Sequence, residues 1–84
     1  MNKWDDDYIH ESIIIGIYYF NNDKSKPIVI EKIGKNNFKV SSDYWISNNG
    51  YFSNSYIHWN NLGKGKIYFN HIDYGNGNIW SKDI

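Results

Sequence analysis

Cysteine, arginine, alanine, threonine and glutamine are all missing from the 84 residues, and leucine, methionine and proline occur once each. Each absence excludes something. Without cysteine there is no disulfide framework and no thiolate metal site. With Leu62 the single leucine and Glu11 and Glu31 the only glutamates, the strong helix formers are nearly gone. No stretch approaches the roughly 18 apolar residues that a membrane-spanning helix needs. The first residues carry Asp5, Asp6 and Asp7 in place of a basic n-region and an apolar h-region, so no secretory signal is expected there. Nine lysines balance nine acidic residues, for a formal net charge of zero. That balance removes the electrostatic footprint expected of a duplex nucleic-acid binder.

Aromatic side chains take up the space. Four Trp, eight Tyr and four Phe make 19% of the chain. A single domain of this length leaves much of its surface exposed and has a thin stability margin. Each buried ring removes roughly 150–250 Å² from water, worth about 25 cal/mol per Å². A few such rings can replace the Leu and Val of an ordinary core. Ile, Tyr, Phe and Trp suit a pleated surface, and the Asn and Gly between the apolar runs tolerate positive φ. The surplus of Ile, Asn, Lys, Tyr and Phe also matches A/T-rich codons. We read it as the mark of an AT-rich genome, of the kind common among phages, viruses and low-GC bacteria. Mutational bias then accounts for part of the missing Arg and Ala.

Along the chain, residues 1–12 read as a polar N-terminal arm and 13–84 as a single β domain. The run from Ile13 to Phe20 is predicted as one strand, apolar on both faces, with Gly16 at a bulge or bend. Pro27 opens a second strand to Ile33, and Gly34 to Asn37 forms a hairpin turn before Phe38–Ser42. Asn48-Asn49-Gly50 carries the Asn-Gly signature of a type I′ turn. It is expected to separate Tyr44–Ser47 from a long strand, Tyr51–Trp59, whose alternation puts Tyr51 and Tyr56 on opposite faces. Asn60 to Gly65 reads as a turn, Lys66–Ile72 as a strand and Asn78–Lys82 as a short last strand. The sum is an all-β antiparallel meander of about seven strands, a closed β-barrel or a compact sandwich. Short loops make sequential strands neighbours, and closure removes edges that so apolar a sheet cannot leave open. The barrel is therefore preferred.

Six rings of the second half, Trp45, Tyr51, Tyr56, Trp59, Tyr74 and Trp80, are interleaved with Asn, Ser and Gly. That is the composition of an adaptable recognition surface, although packing in the core explains most of the rings. Leu62-Gly63-Lys64-Gly65-Lys66 adds Lys64 and Lys66 on a glycine-rich turn that can cradle an anion. It lacks the helix and the G-K-[ST] ending of a P-loop. Metal ligation by His10, His58 and His71 has no dense ligand spacing behind it, so no metal and no cofactor are expected.

The reading is a non-enzymatic binding protein, in the cytoplasm of its own or an invaded cell. It is expected to act as a phage or mobile-element inhibitor that occupies a host protein or sequesters a small ligand, and oligomerisation is a further expectation. No membrane partner is expected. The alternatives are a carbohydrate-binding module and a small hydrolase built on His58, His71 and Asp73. The hydrolase requires His58 and His71 to meet across a hairpin at Leu62-Gly63.

Overall fold

The computed structural model describes residues 11–82. A helical turn, α1 (Glu11–Ile14), precedes eight strands. These are β1 (Gly16–Phe20), β2 (Pro27–Gly34), β3 (Asn37–Ser42), β4 (Trp45–Ser53), β5 (Tyr56–Trp59), β6 (Gly63–Ile67), β7 (His71–Asp73) and β8 (Ile79–Lys82). Each pairs antiparallel with its sequence neighbours, and β1 also pairs with β8, so the meander closes into a barrel. The all-β barrel is as expected, with eight strands rather than seven. Of the expected arm, residues 1–10 lie outside the described residues. Among the described residues no helix is long and apolar enough to cross a membrane.

Alternation builds the interior. Tyr18, Ile28, Ile30, Phe38, Val40, Ile57, Trp59, Ile67, Ile72 and Trp80 point inward and are buried. An eight-stranded barrel is just wide enough for its own side chains, and a few large residues fill this one. Two strand ends define its geometry. One end carries the turns 35–36, 54–55 and 68–70 together with α1; the other carries the loops 21–26, 43–44, 60–62 and 74–78.

Four local expectations are corrected. The run from Ile13 to Phe20 is not one strand. The chain breaks at Gly16, whose φ is +147° and where a Cβ would lie 2.6 Å from Lys82 Cε. Residues before it turn across the barrel end, and Ile14 is fully buried there. The two-faced apolar pattern therefore reports a plug plus a strand. Tertiary burial overrides the poor helix propensity of Ile13 and Ile14.

Asn48-Asn49-Gly50 is not a turn but the middle of β4. Gly50 faces inward beneath Trp59, and a Cβ there would meet the His58 carbonyl and stand 2.5 Å from Trp59 Cε3. The type I′ geometry sits five residues later, at Asn54 (φ 52°) and Ser55 (φ 70°), closed by the Ser53–Tyr56 pair. This turn splits the expected long strand and puts Tyr51 and Tyr56 on the same, outer face. Gly63 to Lys66 likewise lies in β6, not in a turn, and its backbone pairs with β5. Gly65 faces inward because Ile72 and Tyr74 pack on it, at 2.6 and 2.9 Å from a would-be Cβ. Finally, Lys66–Ile72 is two strands joined by residues 68–70.

Gly50→Ala is expected to destabilise the protein by about 3 kcal/mol, the upper end for overpacking a core, because the obstruction includes backbone. Asn54→Gly in the real turn stays within about 0.5 kcal/mol of the parent. Urea midpoints at constant m-value check both.

Candidate functional site

α1 seals one barrel end. The Tyr18 hydroxyl donates to the Ile14 carbonyl at 2.7 Å and is 3.2 Å from that of Ile13, and Lys82 Nζ donates to the Ile13 carbonyl at 2.7 Å. Burial lowers the Lys82 pKa from its ordinary value. The polar groups of the plug are thereby satisfied in a place where unpaired ones are costly.

Among the described residues the opposite end is open. A cleft of about 340 Å³ enters the lumen there, walled by Phe20, Ile28, Tyr44, Trp45, Leu62 and Trp80, with Lys26 and Ser42 as its polar members. Each wall residue comes from the mouth end of its strand or from a mouth loop. Trp45 owes its place to a β-bulge. Val40 pairs with Asn48 but Ser42 pairs with Trp45, so Ile46 and Ser47 together oppose Ser41. The extra residue reverses the facing of β4 beyond it. Trp45 shares the inward side of Ser42, whereas Tyr51, of the same parity, faces out. The Trp45 ring then meets Trp80 on β8, four strands away around the barrel, with centroids 6.3 Å apart and planes at 25°.

Trp80 is braced from below. Its ring lies 4.6 Å from that of Tyr74 at a tilt of 47°, and the Tyr74 hydroxyl accepts a 2.8 Å hydrogen bond from Trp59 Nε1. Such aromatic pairs contribute about 0.5–1.5 kcal/mol beyond area burial. Burial pushes the Tyr74 phenol well above its ordinary value, and the weaker pull of the Trp59 N–H does not offset this. The Tyr18 phenol is raised by burial in the same way.

The loop carrying Lys26 is ordered by Asp23. Its carboxylate accepts from the Ser25 hydroxyl at 2.6 Å and the Ser25 N–H at 3.1 Å, while the Lys26 N–H donates to the Asp23 carbonyl at 3.2 Å. The Ser25 bonds, helped by the nearby Lys26 charge, hold the Asp23 carboxyl below its usual range. Lys26 Nζ rests 5.5 Å from the centre of the Tyr44 ring at the rim of the cleft.

The eight residues singled out from the sequence thus divide between two places. Trp45 and Trp80 line the mouth, with Trp59 and Tyr74 behind them. Tyr51, Tyr56, Lys64 and Lys66 lie on the outer face of β4 to β6, where Tyr51 stacks on His58 at 4.8 Å and Lys64 sits 5.0 Å over the Tyr56 ring. The backbone around Lys64 and Lys66 serves the β5–β6 ladder and forms no anion cradle.

His58 and His71 do not meet in a hairpin. β6 separates them, His71 pairs with Ser81, and its Nδ1 is 2.8 Å from Asn70 Oδ1. The Asp73 carboxylate accepts from the Gly75 N–H at 2.8 Å. Among the described residues no three His, Asp or Glu side chains gather as a metal site. A second depression, about 400 Å³, lies outside the barrel by Asn22, Asn70 and Lys82 and is shallower and more polar.

Sequence reasoning missed Phe20, Ile28, Leu62, Tyr44, Lys26 and Ser42 as parts of one site. Alternation from Tyr18 and Ile30 signals Phe20 and Ile28; nothing local signals Leu62 or Lys26. Comparison with known proteins gives no matching family model, no matching curated protein and no matching solved structure.

The raised phenols predict the alkaline behaviour. A folded pKa above the unfolded one means that the stabilisation is complete below the unfolded value, about 10 for tyrosine, and is lost as pH climbs from there towards the folded value. Unfolding in alkali is expected to begin above about pH 10, with tyrosinate absorbance from Tyr18 and Tyr74 appearing together with loss of the β-sheet circular dichroism. Tyr74→Phe is expected to release one proton fewer in that transition. At neutral pH it costs about 1–3 kcal/mol, because the Trp59 N–H loses its acceptor.

Proposed function

We propose that this protein is a non-enzymatic binding barrel that takes up a small molecule with a flat, apolar body in its open mouth. One observation carries the reading: the Trp45–Trp80 pair stands over a 340 Å³ apolar cleft at the one barrel end that α1 does not seal. That volume falls within the roughly 300–1,000 Å³ of small-molecule sites. The walls combine rings whose faces can stack with the ligand. The braced Trp80 is only 7% exposed, whereas Trp45 is 36% exposed and forms the accessible side.

Sequestration of a small ligand is thus the form of the binding expectation that the geometry favours. A carbohydrate fits less well. Its many hydroxyls need partners, and the described lining is mostly apolar, offering Lys26, the Tyr44 hydroxyl, indole N–H groups and Ser42, whose hydroxyl already accepts from the Tyr44 N–H at 3.2 Å. A sugar's unpaired hydroxyls would each carry a desolvation cost. A protein partner is the second reading, favoured by the exposure of Tyr51 (50%) and Tyr68 (40%) on the outer face.

The neutral dye N-phenyl-1-naphthylamine tests the proposal. It is expected to bind one per chain with quenching of tryptophan emission. Trp45→Ala is expected to weaken it by about tenfold, as loss of a central aromatic anchor does, while Tyr51→Ala on the outer face leaves it unchanged. Failure of the dye to bind, or equal effects of the two variants, would count against the mouth as the site.

A further inference from the structure

We propose that the natural ligand of the mouth is an amphipathic organic anion, whose apolar body enters the cleft against the Trp45–Trp80 pair and whose carboxylate, sulfonate or phosphate stays at the rim on Lys26. The inference rests on the mouth being the binding site and names the chemistry of what binds there.

Three observations carry it. Among the described residues lining the cleft, Lys26 is the one that carries a charge. Its ammonium is held over the Tyr44 ring, 5.5 Å from the centroid, which keeps the cation at the rim. Tyr44 itself is 60% exposed, so the charge lies at the boundary between water and the apolar walls. A ligand bound there can leave its charged group hydrated while its body is desolvated. A charge carried into the lumen would meet the apolar Ile28 and Trp80, at a cost that no partner there offsets.

The nearby carboxylates leave the role of Lys26 open to an incoming anion. Asp23 lies near enough to feel the Lys26 charge, but its carboxylate is bonded to Ser25 within its own turn and the Lys26 ammonium rests over the Tyr44 ring. Asp43 shares a turn with Tyr44 but is exposed and does not line the cleft. Ser42, paired with Ile28 on the neighbouring strand, adds a hydroxyl on the same side of the cleft that can donate to the anionic group while accepting from the Tyr44 N–H. The aromatic walls carry no formal charge and their faces favour cations, so a preference for an anion has to come from Lys26.

Two dyes with one ring system test this on the full chain: 1-anilinonaphthalene-8-sulfonate and the neutral N-phenyl-1-naphthylamine. Each dye is compared with itself across variants, which cancels their difference in water solubility. Lys26→Gln is expected to weaken the sulfonate by roughly fivefold, the worth of a partly exposed charge pair, and Lys26→Glu more. Both leave the neutral dye within about twofold. Lys24→Gln, on the same loop but over the outward Tyr19 ring, is expected to change neither. The sulfonate's dependence on Lys26 is expected to fade with added salt. Near-ultraviolet circular dichroism checks that each variant keeps its packing. Equal responses of the two dyes to Lys26→Glu, or a Lys24 effect as large as that of Lys26, would overturn the anion assignment while leaving the mouth as the site. Binding of neither dye, or binding indifferent to Trp45→Ala, would overturn the mouth itself and the anion assignment with it.

Discussion

Three residue pairs join β1 to β8: Tyr18 with Lys82, Tyr19 with Ser81 and Phe20 with Trp80. They fix how much the barrel can hold. A closed ring of eight strands leaves an interior about one layer of side chains across, so a large ring inside needs a small residue opposite. Trp59 lies on Gly50, and Tyr74 and Ile72 lie on Gly65. The glycines that look like turn residues are the space that the aromatics occupy. Closure also matters on the outside. The outward Ile17 is 47% exposed and pairs with Val29, and an open sheet with such an edge would invite pairing with other chains.

The same closure makes the two barrel ends different. At one end α1 crosses the opening, and Ile14 contributes an apolar stopper. The carbonyls that this turn carries inward are met by Tyr18 and Lys82, two inward side chains that are themselves cross-strand neighbours. At the other end no described segment crosses, and the bulge at Ile46–Ser47 turns Trp45 over the opening instead. The chain from Trp59 through Tyr74 to Trp80 holds the floor of the cleft by a hydrogen bond and a ring contact. A site built on braced rings loses little freedom when a ligand arrives, which favours affinity at a given contact area.

Residue chemistry explains what was legible in advance. The β class followed from the missing helix formers and the abundance of Ile and rings, and the β2–β3 hairpin followed from plain alternation around Lys35-Asn36. Barrel closure followed from short loops and the danger of open edges. The errors have a common physical origin. Asn49-Gly50 and Gly63-Lys64-Gly65 carry turn residues, yet their glycines answer to packing partners far along the chain, which no local pattern contains. The same holds for Ile13 to Ile15, whose two-faced apolarity reflects α1 covering the barrel end. The candidate site was half legible. The importance of Trp45 and Trp80 showed in composition, but their meeting depends on a one-residue bulge. One inserted residue reverses every later facing, so Trp45 turns inward while Tyr51, of the same parity on the same strand, turns out.

The neutral charge count is also less simple than it looks. Residues 13–82 hold eight of the nine lysines but only four carboxylates, Asp23, Glu31, Asp43 and Asp73. The other acidic residues fall in residues 1–12 and at Asp83. Zero net charge is therefore an average over a cationic barrel and acidic flanks. Of the four barrel carboxylates, Asp23 and Asp73 are held in their own turns, and Glu31 stands opposite Lys39. The lysines over Tyr19, Tyr44, Tyr56 and Tyr68 are spread around the outside, so the barrel carries a diffuse positive field with one of its sources at the mouth. Such a field raises the local concentration of small anions and speeds their encounter. On the proposed reading, charge in this chain bears on which small molecules reach the apolar cleft, while the rings within it set how tightly they are held.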